Sequence, residues 1–523
     1  MDAGGLEPRG QRRINSGDSE TGGMGLLARS QGARTQLLRN SLFNCCAWAT
    51  TVGVNFVAIP IVIRCLGVEG FGIYVLLTGL FGYFGLLDFG FSDGVIKYVA
   101  HHLELGDHNS VAQSIKAALL VQLIAGTVGV VTIWVFNGPF VHLLHVGPAL
   151  FRAASVGLYV SSIGFLAKML LNTCNAALKG LQRFDVLAKL TAGFSVLTTI
   201  AVVLALLGGG RLLAAVTINA VMIVANLAVV LVFIFHYVPS CRLSFLVARE
   251  HFHTLFGFGA YVFVSRIANA LNSYFLQVVV AVILGPAAVS YLAVPMKLTS
   301  TLEGGFNSLI GVIFPHVSAL KAQGNTESLQ RLYSAASKYV VALSTPVFLL
   351  FILFSKQILA VWLGAEFSAR AWPVLTILSC ASLLGVWTMV PANIIYGTGD
   401  TKVAALFGSV VAAVNLVFSV LLTMRYGIIG TSAAVLITAT QGPIFIWYVT
   451  SRVVGVSPTK YFEQVFALHI VPSTVFCLIS LRIMSLANGM ASQSSLLALV
   501  LGGALSALYY SLLVKFRFGS LGD

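Results

Sequence analysis

The sequence predicts an all-α polytopic membrane protein with about 14 transmembrane helices, built as two parallel six-helix lobes and two additional C-terminal helices. Three observations predict it. Of the 523 residues, 58% are hydrophobic and only 9% are charged, whereas a soluble domain carries about 25% charged residues. Apolar runs long enough to cross a bilayer recur from residue 42 to residue 514. The third observation is an internal repeat.

The repeat is a constant offset of 218 residues between landmarks in the two parts of the chain. A constant offset across half a chain indicates two homologous halves, as in many membrane transporters. Because the offset covers an even number of spans, corresponding helices point the same way, and the halves are related by an axis along the membrane normal. The matched landmarks are Gly67 with Gly285, Asn175 with Asn393, and Gly209 with Gly427.

The apolar runs and their polar breaks define the predicted spans and their orientation. With the N-terminus inside, the cytoplasmic segments hold roughly three times as many Lys and Arg residues as the opposite side, which predicts that both termini are cytoplasmic. The spans are 42–63, 72–92, 113–136, 153–174, 186–207, 212–236, 256–284, 288–315, 335–355, 371–392, 402–423, 428–449, 463–484 and 494–514.

Four regions follow from these spans. Residues 1–35 are rich in Gly, Arg, Ser and Gln and lack an apolar stretch, which predicts a disordered cytoplasmic tail rather than a signal peptide. The N-lobe with spans 1–6 is expected at 36–240 and the C-lobe with spans 7–12 at 241–455. Two additional spans and a cytoplasmic tail occupy 456–523.

Several function classes are excluded by charge and motif patterns. The net charge is +14, but the cations lie in short loops without interleaved aromatic residues, which excludes nucleic-acid binding. The chain lacks a Walker A motif, a paired-carboxylate site and a nucleophile site, so we expect a protein that is not an enzyme and has no resident cofactor. The polar loop around His101 and His102 is interpreted as solvated, and no metal site is predicted. A coupling ion, H⁺ or Na⁺, is left open.

Two stretches carry the most specific motifs. Residues 64–74 read Arg-Cys-Leu-Gly-Val-Glu-Gly-Phe-Gly-Ile-Tyr, and residues 86–100 read Leu-Leu-Asp-Phe-Gly-Phe-Ser-Asp-Gly-Val-Ile-Lys-Tyr-Val-Ala. Weaker matches follow at 175–185 and 396–402. The pattern resembles the polysaccharide transporter family, the O-antigen and lipid-linked oligosaccharide flippases of the multidrug/oligosaccharidyl-lipid/polysaccharide superfamily, over roughly residues 36–450.

This resemblance implies a function and a location. Such flippases move undecaprenyl-diphosphate-linked oligosaccharides across the bacterial inner membrane for cell-surface polysaccharide biosynthesis, through a central cavity that opens to each side in turn. The implied partners are the lipid-linked oligosaccharide, membrane lipid, a polysaccharide polymerase and glycosyltransferases. Many members carry an acidic residue in span 7 where this chain has Leu276 and Gln277, so coupling through that position is in doubt.

Charges inside the spans are the candidate substrate-binding residues. A charge at mid-bilayer costs roughly 3 kcal/mol, so it must face a partner or a water-filled cavity. Arg266 and Lys297 are predicted to bind the diphosphate or an acidic sugar. Glu303 lies about 240° from Lys297 around the same helix and therefore needs a partner elsewhere, for which Arg266 is the candidate. The alternatives without a substrate role are an interhelical ion pair or, for the lysine, an ammonium group that extends to the membrane interface.

Three further charges lie near the ends of predicted spans. Lys168 is close to the cytoplasmic end of span 4, where it binds substrate or extends its ammonium group to the interface. Asp88 is a candidate gating residue or a local helix cap. Arg64, at the outer end of span 1, is expected either to contact the diphosphate on its release or to act as an anchor of the span at the membrane surface. Pro295 either kinks span 8 without further purpose, or breaks it beside Lys297 and exposes carbonyls to the cavity.

Three alternative functions remain. A cation-coupled multidrug exporter depends on membrane-embedded carboxylates, and span 1 at 42–63 contains no charged residue. A peptidoglycan-precursor flippase fits the span count and a cationic cavity. A membrane scaffold for polysaccharide assembly would not need charges inside the membrane.

Overall fold

The computed structural model describes residues 50–79, 91–242, 275–310, 317, 320–321, 323–398, 401–487, 500–506 and 508–509. The regular secondary structure in these ranges is helical, and no strand occurs among them. Nine helices in the described part of the chain are long and apolar enough to cross a membrane. The protein is therefore an all-helical, multi-pass membrane protein, and the count of fourteen spans stays a prediction.

The described part of the first half forms seven α-helices, two of which are short. Helix α1 is bent at Gly67, whose φ of +71° lies outside the helical region. Predicted spans 3–6 correspond to α3, α5, α6 and α7. The ranges are α1 (Thr50–Gly79), α2 (Phe91–Glu104), α3 (His108–Val135), α4 (Asn137–Leu143), α5 (Pro148–Gly180), α6 (Phe184–Leu207) and α7 (Leu212–Tyr237).

The second half repeats this order. Helix α13 is bent at Gly427 (φ +64°), so that it covers both predicted span 11 and the start of span 12. The ranges are α8 (Phe275–Leu284), α9 (Pro286–Ile310), α10 (Thr326–Leu353), α11 (Ser355–Leu363), α12 (Ala365–Thr398), α13 (Thr401–Ala439), α14 (Gly442–Tyr448), α15 (Pro458–Phe462) and α16 (Leu468–Ala487).

The backbone turns at residues that are 218 positions apart. Three glycine pairs have positive φ, a conformation that favours glycine because it has no Cβ. The angles are +71° and +86° for Gly67 and Gly285, +71° and +66° for Gly106 and Gly324, and +89° and +64° for Gly209 and Gly427. The second pair did not figure among the sequence landmarks. Helices α3 and α10 also begin and end at equivalent residues.

Equivalent side chains cap these two helices. The Asp107 carboxylate accepts a hydrogen bond from the Ser110 backbone amide at 3.0 Å. The side-chain oxygen of Asn325 accepts one from the Ser328 backbone amide at 3.0 Å. Both satisfy an amide that has no partner within the helix. The hydrogen bonds from Ser110 hold the pKa of Asp107 below its usual range. The two halves therefore share their helix starts as well as their bends.

The chain after α14 packs on the second half. Helix α16 lies against α10, the Tyr333 ring stacks on the Tyr461 ring with centroids 4.9 Å apart, and the Tyr333 hydroxyl is 2.8 Å from the Thr450 hydroxyl. Gln330 donates to the Val454 carbonyl at 3.0 Å. These contacts place the C-terminal helices on the flank of the second half.

Candidate functional site between the two halves

The two halves meet at one end of the molecule, here called the closed face. It comprises the bend of α1 at Gly67, the short helices α4 and α11, and the junction of α8 and α9 at Gly285. One hydrophobic cluster joins residues of α1, α6 and α7 to residues of α9, α11 and α12. A second joins Leu76 and Leu144 to residues of α8, α9 and α12. Both clusters cross the boundary between the halves.

Backbone contacts seal the centre of the closed face. The Ser290 hydroxyl of α9 donates to the Val68 carbonyl of α1 at 2.5 Å. Gly72 of α1 packs so closely on Pro286 that a Cβ at Gly72 would overlap the Pro286 carbonyl. Val68 and Gly72 are equivalent to Pro286 and Ser290 under the 218-residue repeat. The two contacts are therefore the same contact viewed from each half.

An aromatic pair joins the halves at the edge of the closed face. The Trp362 indole of α11 lies parallel to the Phe56 ring of α1, with ring centroids 4.4 Å apart and an interplanar angle of 8°. The indole N–H donates to the Phe56 carbonyl at 2.9 Å. Helix α11 of the second half is thus fastened to α1 of the first half.

At the opposite end, here called the open face, each half has its own core. This end includes the turns at Gly106 and Gly324. One cluster there contains residues of α2, α3, α5 and α7, and the other contains residues from α9 to the C-terminal flank. Across the described ranges, neither cluster includes a residue of the other half. Among the described residues, the halves therefore pack on each other at the closed face, whereas toward the open face each packs on its own core; the region between them there is called the wedge.

A polar stripe on α9 lines this space. Ser290, Lys297, Thr301 and Ser308 follow one line along the helix because their spacings are close to whole turns. Ser290 faces the first half through its bond to Val68, so the others face the same way. Ser290 is fully buried, whereas Lys297 and Ser308 are exposed. The stripe extends over roughly 27 Å from the closed face into the wedge.

The hydroxyl groups of the stripe have a defined orientation. Thr301 donates to the Lys297 carbonyl at 2.7 Å, and Ser308 donates to the Gly304 carbonyl at 2.9 Å. Their protons are committed to the helix, which leaves oxygen lone pairs as acceptors. With the Lys297 ammonium, the stripe offers one cation and a row of acceptors, a combination that suits a phosphate group attached to a hydroxylated molecule.

The charged residues predicted for the site lie in different environments. Lys297 is exposed on the polar stripe, and the half-buried Glu303 accepts a hydrogen bond from the Ser382 hydroxyl of α12. The pairing of Glu303 with Arg266 was expected, but Arg266 lies outside the described residues. Pro295 does not break the helix: α9 continues through it from residue 286 to residue 310. The alternative in which Pro295 breaks span 8 is therefore wrong: Pro295 is buried, and a membrane helix tolerates proline where neighbouring groups satisfy the freed backbone.

The other predicted site residues are spread over the first half. Lys168 is half-buried and lies twelve residues before the end of α5, because the helix continues to Gly180, six residues past the predicted end of span 4. Its expected place near the cytoplasmic end of that span, and its role there, stay predictions. Arg64 is exposed beside the bend at the closed face. Asp88 lies outside the described residues, so its gating role stays a prediction.

Sequence reasoning missed the residues that close the face and the hydroxyls of the stripe. The stripe had a readable signal, since polar residues recur at helical spacing within an apolar segment. Gly72 lies in a motif that carries the family resemblance, but nothing in the sequence shows that it approaches Pro286. The contact of Trp362 with Phe56 has no sequence signal, because 306 residues separate the two.

Comparison with known proteins adds to this geometry. A family model for polysaccharide biosynthesis proteins matches residues 37–321, more than half of the chain. The chain belongs to the polysaccharide biosynthesis protein family. A Shigella flexneri protein named as an O-antigen transporter is 22% identical over 423 residues, which cover 80% of this chain and 99% of the relative. A Haloferax volcanii protein named as a flippase of low-salt glycan biosynthesis is 22% identical over 73% of this chain and 76% of the relative.

Two solved structures share the fold of this family member. The lipid II flippase MurJ in an inward closed conformation matches with a TM-score of 0.72 and 12% identity, covering 91% of this chain and 100% of MurJ. A multidrug resistance transporter of the MATE family in an inward-facing conformation matches with a TM-score of 0.65 and 16% identity, covering 78% of this chain and 97% of the transporter. At these identities the likeness establishes the fold alone, which the chain shares with MurJ and with the MATE transporter.

Proposed function

We propose that this protein is a flippase that moves an undecaprenyl-diphosphate-linked oligosaccharide across the bacterial inner membrane for cell-surface polysaccharide biosynthesis. The observation that carries the proposal is the wedge between the halves, sealed at one face and lined by Lys297 and the hydroxyls of α9. Membership of the polysaccharide biosynthesis family supports a glycan cargo. The functions named for the Shigella and Haloferax relatives agree with that class.

The proposed mechanism assigns a role to each face. The excess of Lys and Arg on the predicted cytoplasmic segments orients the open face toward the cytoplasm. The headgroup enters the wedge there, its phosphate binds the Lys297 ammonium, and its sugar hydroxyls donate to the oxygens of the α9 stripe. The lipid tail stays in the bilayer between the halves. Closure of the open face and separation of the closed face then release the headgroup on the other side.

The path needs no second, oppositely charged site to release the phosphate. A single cation next to water in the wedge binds the phosphate without trapping it. A guanidinium or ammonium group next to water contributes a modest net attraction, since the phosphate exchanges one set of polar partners for another. Lys168 and Arg64 remain candidates for contacts deeper in the first half and at release. Glu303 is better suited to holding α9 against α12 through Ser382.

The test uses a strain that lacks its own polysaccharide flippase and receives this chain. Lys297→Gln removes the charge, and we expect surface polysaccharide to fall at least about tenfold at equal protein level, the effect of losing a charged hydrogen bond. Lys297→Arg keeps the charge and retains most of the polysaccharide. The control is Lys321→Gln, which removes an exposed lysine outside the stripe.

Other outcomes would contradict the proposal in different ways. Wild-type polysaccharide with Lys297→Gln removes this residue from the mechanism. Failure of the unmodified chain to restore polysaccharide, together with restored drug resistance in an exporter-deficient strain, favours the multidrug alternative. Rescue of cells depleted of their peptidoglycan-precursor flippase favours that cargo instead.

A further inference from the structure

Helix α1 contains a carbonyl that its own helix does not satisfy. Pro60 has no N–H, so it cannot donate to the carbonyl of Phe56, four residues earlier. The Trp362 indole takes this place from the other half, with its nitrogen 2.9 Å from the Phe56 oxygen. The parallel stacking of the two rings at 4.4 Å fixes the indole in line with the carbonyl. The acceptor and the donor thus lie on opposite sides of the boundary.

At the equivalent positions in the other half, the chain has neither a proline nor a tryptophan. The residue equivalent to Pro60 is Val278 in α8, which keeps its N–H, and the residue equivalent to Trp362 is Leu144. Leu144 is buried in the cluster that joins it to α8. In one half Leu144 therefore packs on apolar residues of α8, whereas at the other copy of this position an indole donates to a freed carbonyl. The proline that frees the carbonyl and the tryptophan that donates to it belong to the same copy of the contact, as a matched donor–acceptor pair requires.

We propose that Trp362 and Phe56 form a latch that holds the closed face shut, and that separation of this face requires the indole–carbonyl bond to break. The bond between Ser290 and Val68 acts beside it at the centre of the same face. When the halves separate, water reaches the freed groups and replaces the bond, so the latch contributes a moderate and reversible preference. A latch of this kind tunes the ratio of closed to separated molecules without preventing transport.

The experiment measures the distance between the halves in the full-length protein, reconstituted in lipid nanodiscs without cargo. Spin labels are attached at Arg152→Cys and Glu366→Cys, exposed positions on the two halves at the closed face, after the native cysteines have been replaced. Trp362→Leu copies the Leu144 side of the molecule. We expect it to raise the ratio of separated to closed molecules about tenfold, because a hydrogen bond and an aromatic pair are lost together.

Two further variants separate the hydrogen bond from the packing. Trp362→Phe keeps a stacked ring but removes the N–H, and we expect a rise of about threefold to fivefold. Pro60→Val returns an N–H to α1 and gives the Phe56 carbonyl a partner within its own helix. In that background, Trp362→Phe should produce a much smaller additional change, since the two substitutions act on one interaction.

A control and a contrary result complete the test. Trp134 donates its indole N–H to the Ser162 hydroxyl at 2.9 Å within the first half, so Trp134→Phe removes a comparable bond without touching the boundary. It should leave the distance distribution unchanged. The latch is refuted if Trp362→Leu, in protein that remains monodisperse, leaves the distances as they are in the parent. It is equally refuted if Trp362→Phe has the same effect with Pro60 and with Val at position 60. The measurement uses no cargo, so it stands apart from the flippase assignment.

Discussion

The two halves of this protein share a backbone plan and differ in chemistry at equivalent positions. Bends at Gly67 and Gly285 have φ angles of +71° and +86°, yet the residues that line the boundary have diverged. Lys297 is equivalent to Gly79, Trp362 to Leu144, and Ser290 to Gly72. The turning points are thus shared by both halves, whereas at these three positions the polar or aromatic residue stands in the second half.

Both halves still contribute to closure, in complementary forms. The second half supplies donors, the Trp362 indole and the Ser290 hydroxyl, and the first half supplies the carbonyls of Phe56 and Val68. Gly72 supplies the space that lets the backbones approach. Substitutions at the closed face test the difference between the halves, and substitutions at the shared turns test their likeness.

The largest effect is expected from Gly72→Val. A Cβ at this position would overlap the Pro286 carbonyl, so the halves must move apart at the closed face. We expect the closed arrangement to lose about 3 kcal/mol, the upper range for overpacking, and the separated form to dominate the distance distribution. Spin-label distances across the closed face check this.

The control for this variant is Gly193→Ala in α6, where a Cβ meets no atom within 4 Å. It should leave the distances unchanged. A closed distance distribution in Gly72→Val would show that the Pro286 contact does not limit the approach of the halves.

The next effect is expected at the shared bends. Neither Gly67 nor Gly285 has an atom within 4 Å of a built Cβ, so alanine there costs conformational energy only. With φ near +71° and +86°, we expect each of Gly67→Ala and Gly285→Ala to destabilise its half by about 1–2 kcal/mol. Thermal unfolding of the solubilised protein measures both. Clearly unequal losses would mean that the two bends do not have equivalent roles.

A smaller effect follows from the two helix caps. Asp107→Ala and Asn325→Ala each remove the acceptor of one amide at the start of α3 or α10. We expect amide hydrogen exchange at Ser110 or Ser328 to rise by about fivefold, each in its own half only. A matching rise in the half that was not changed would contradict independent capping.

The smallest expected effect is a pH dependence that distinguishes the Asp107 helix cap from the Asn325 helix cap. The Asp107 pKa is held below its ordinary value of 3.8 by Ser110, so the carboxylate cap is complete above that value. It is lost as the pH falls through the lowered pKa, because protonation removes the charged acceptor. Asn325 does not titrate. After correction for intrinsic rates, exchange at Ser110 should rise relative to Ser328 below about pH 3.8, and a constant ratio would oppose this assignment.

Much of the fold could be predicted because it depends on local chemistry. Apolar runs identify spans, and glycine marks bends where φ is positive, as at Gly209 and Gly427. The turn at Gly106 and Gly324 carried the same signal. It was missed because the following residues, Asp107 and Asn325, differ as letters although both oxygens accept the same amide bond.

The site was harder to predict because it depends on contacts between distant segments. The presence of Lys297 in a span indicated a polar environment, but only the bond of Ser290 to Val68 shows which way that face of α9 points. Helix α5 runs six residues past the predicted end of span 4, because the apolar run is shorter than the helix. Hydropathy reports where lipid contacts a helix, whereas packing determines where the helix ends.

The pairing of Gly72 with Ser290 has an evolutionary consequence. An ancestral pair of identical halves would have brought the same residue to both sides of the symmetry axis. Two serines would have crowded the axis, and two glycines would have provided no donor. Once the genes were fused, each copy became free to specialise, and the present asymmetric pair combines close approach with a hydrogen bond. This asymmetric pair at the closed face therefore explains why a single fused chain can achieve a closure that a symmetric dimer of either half cannot.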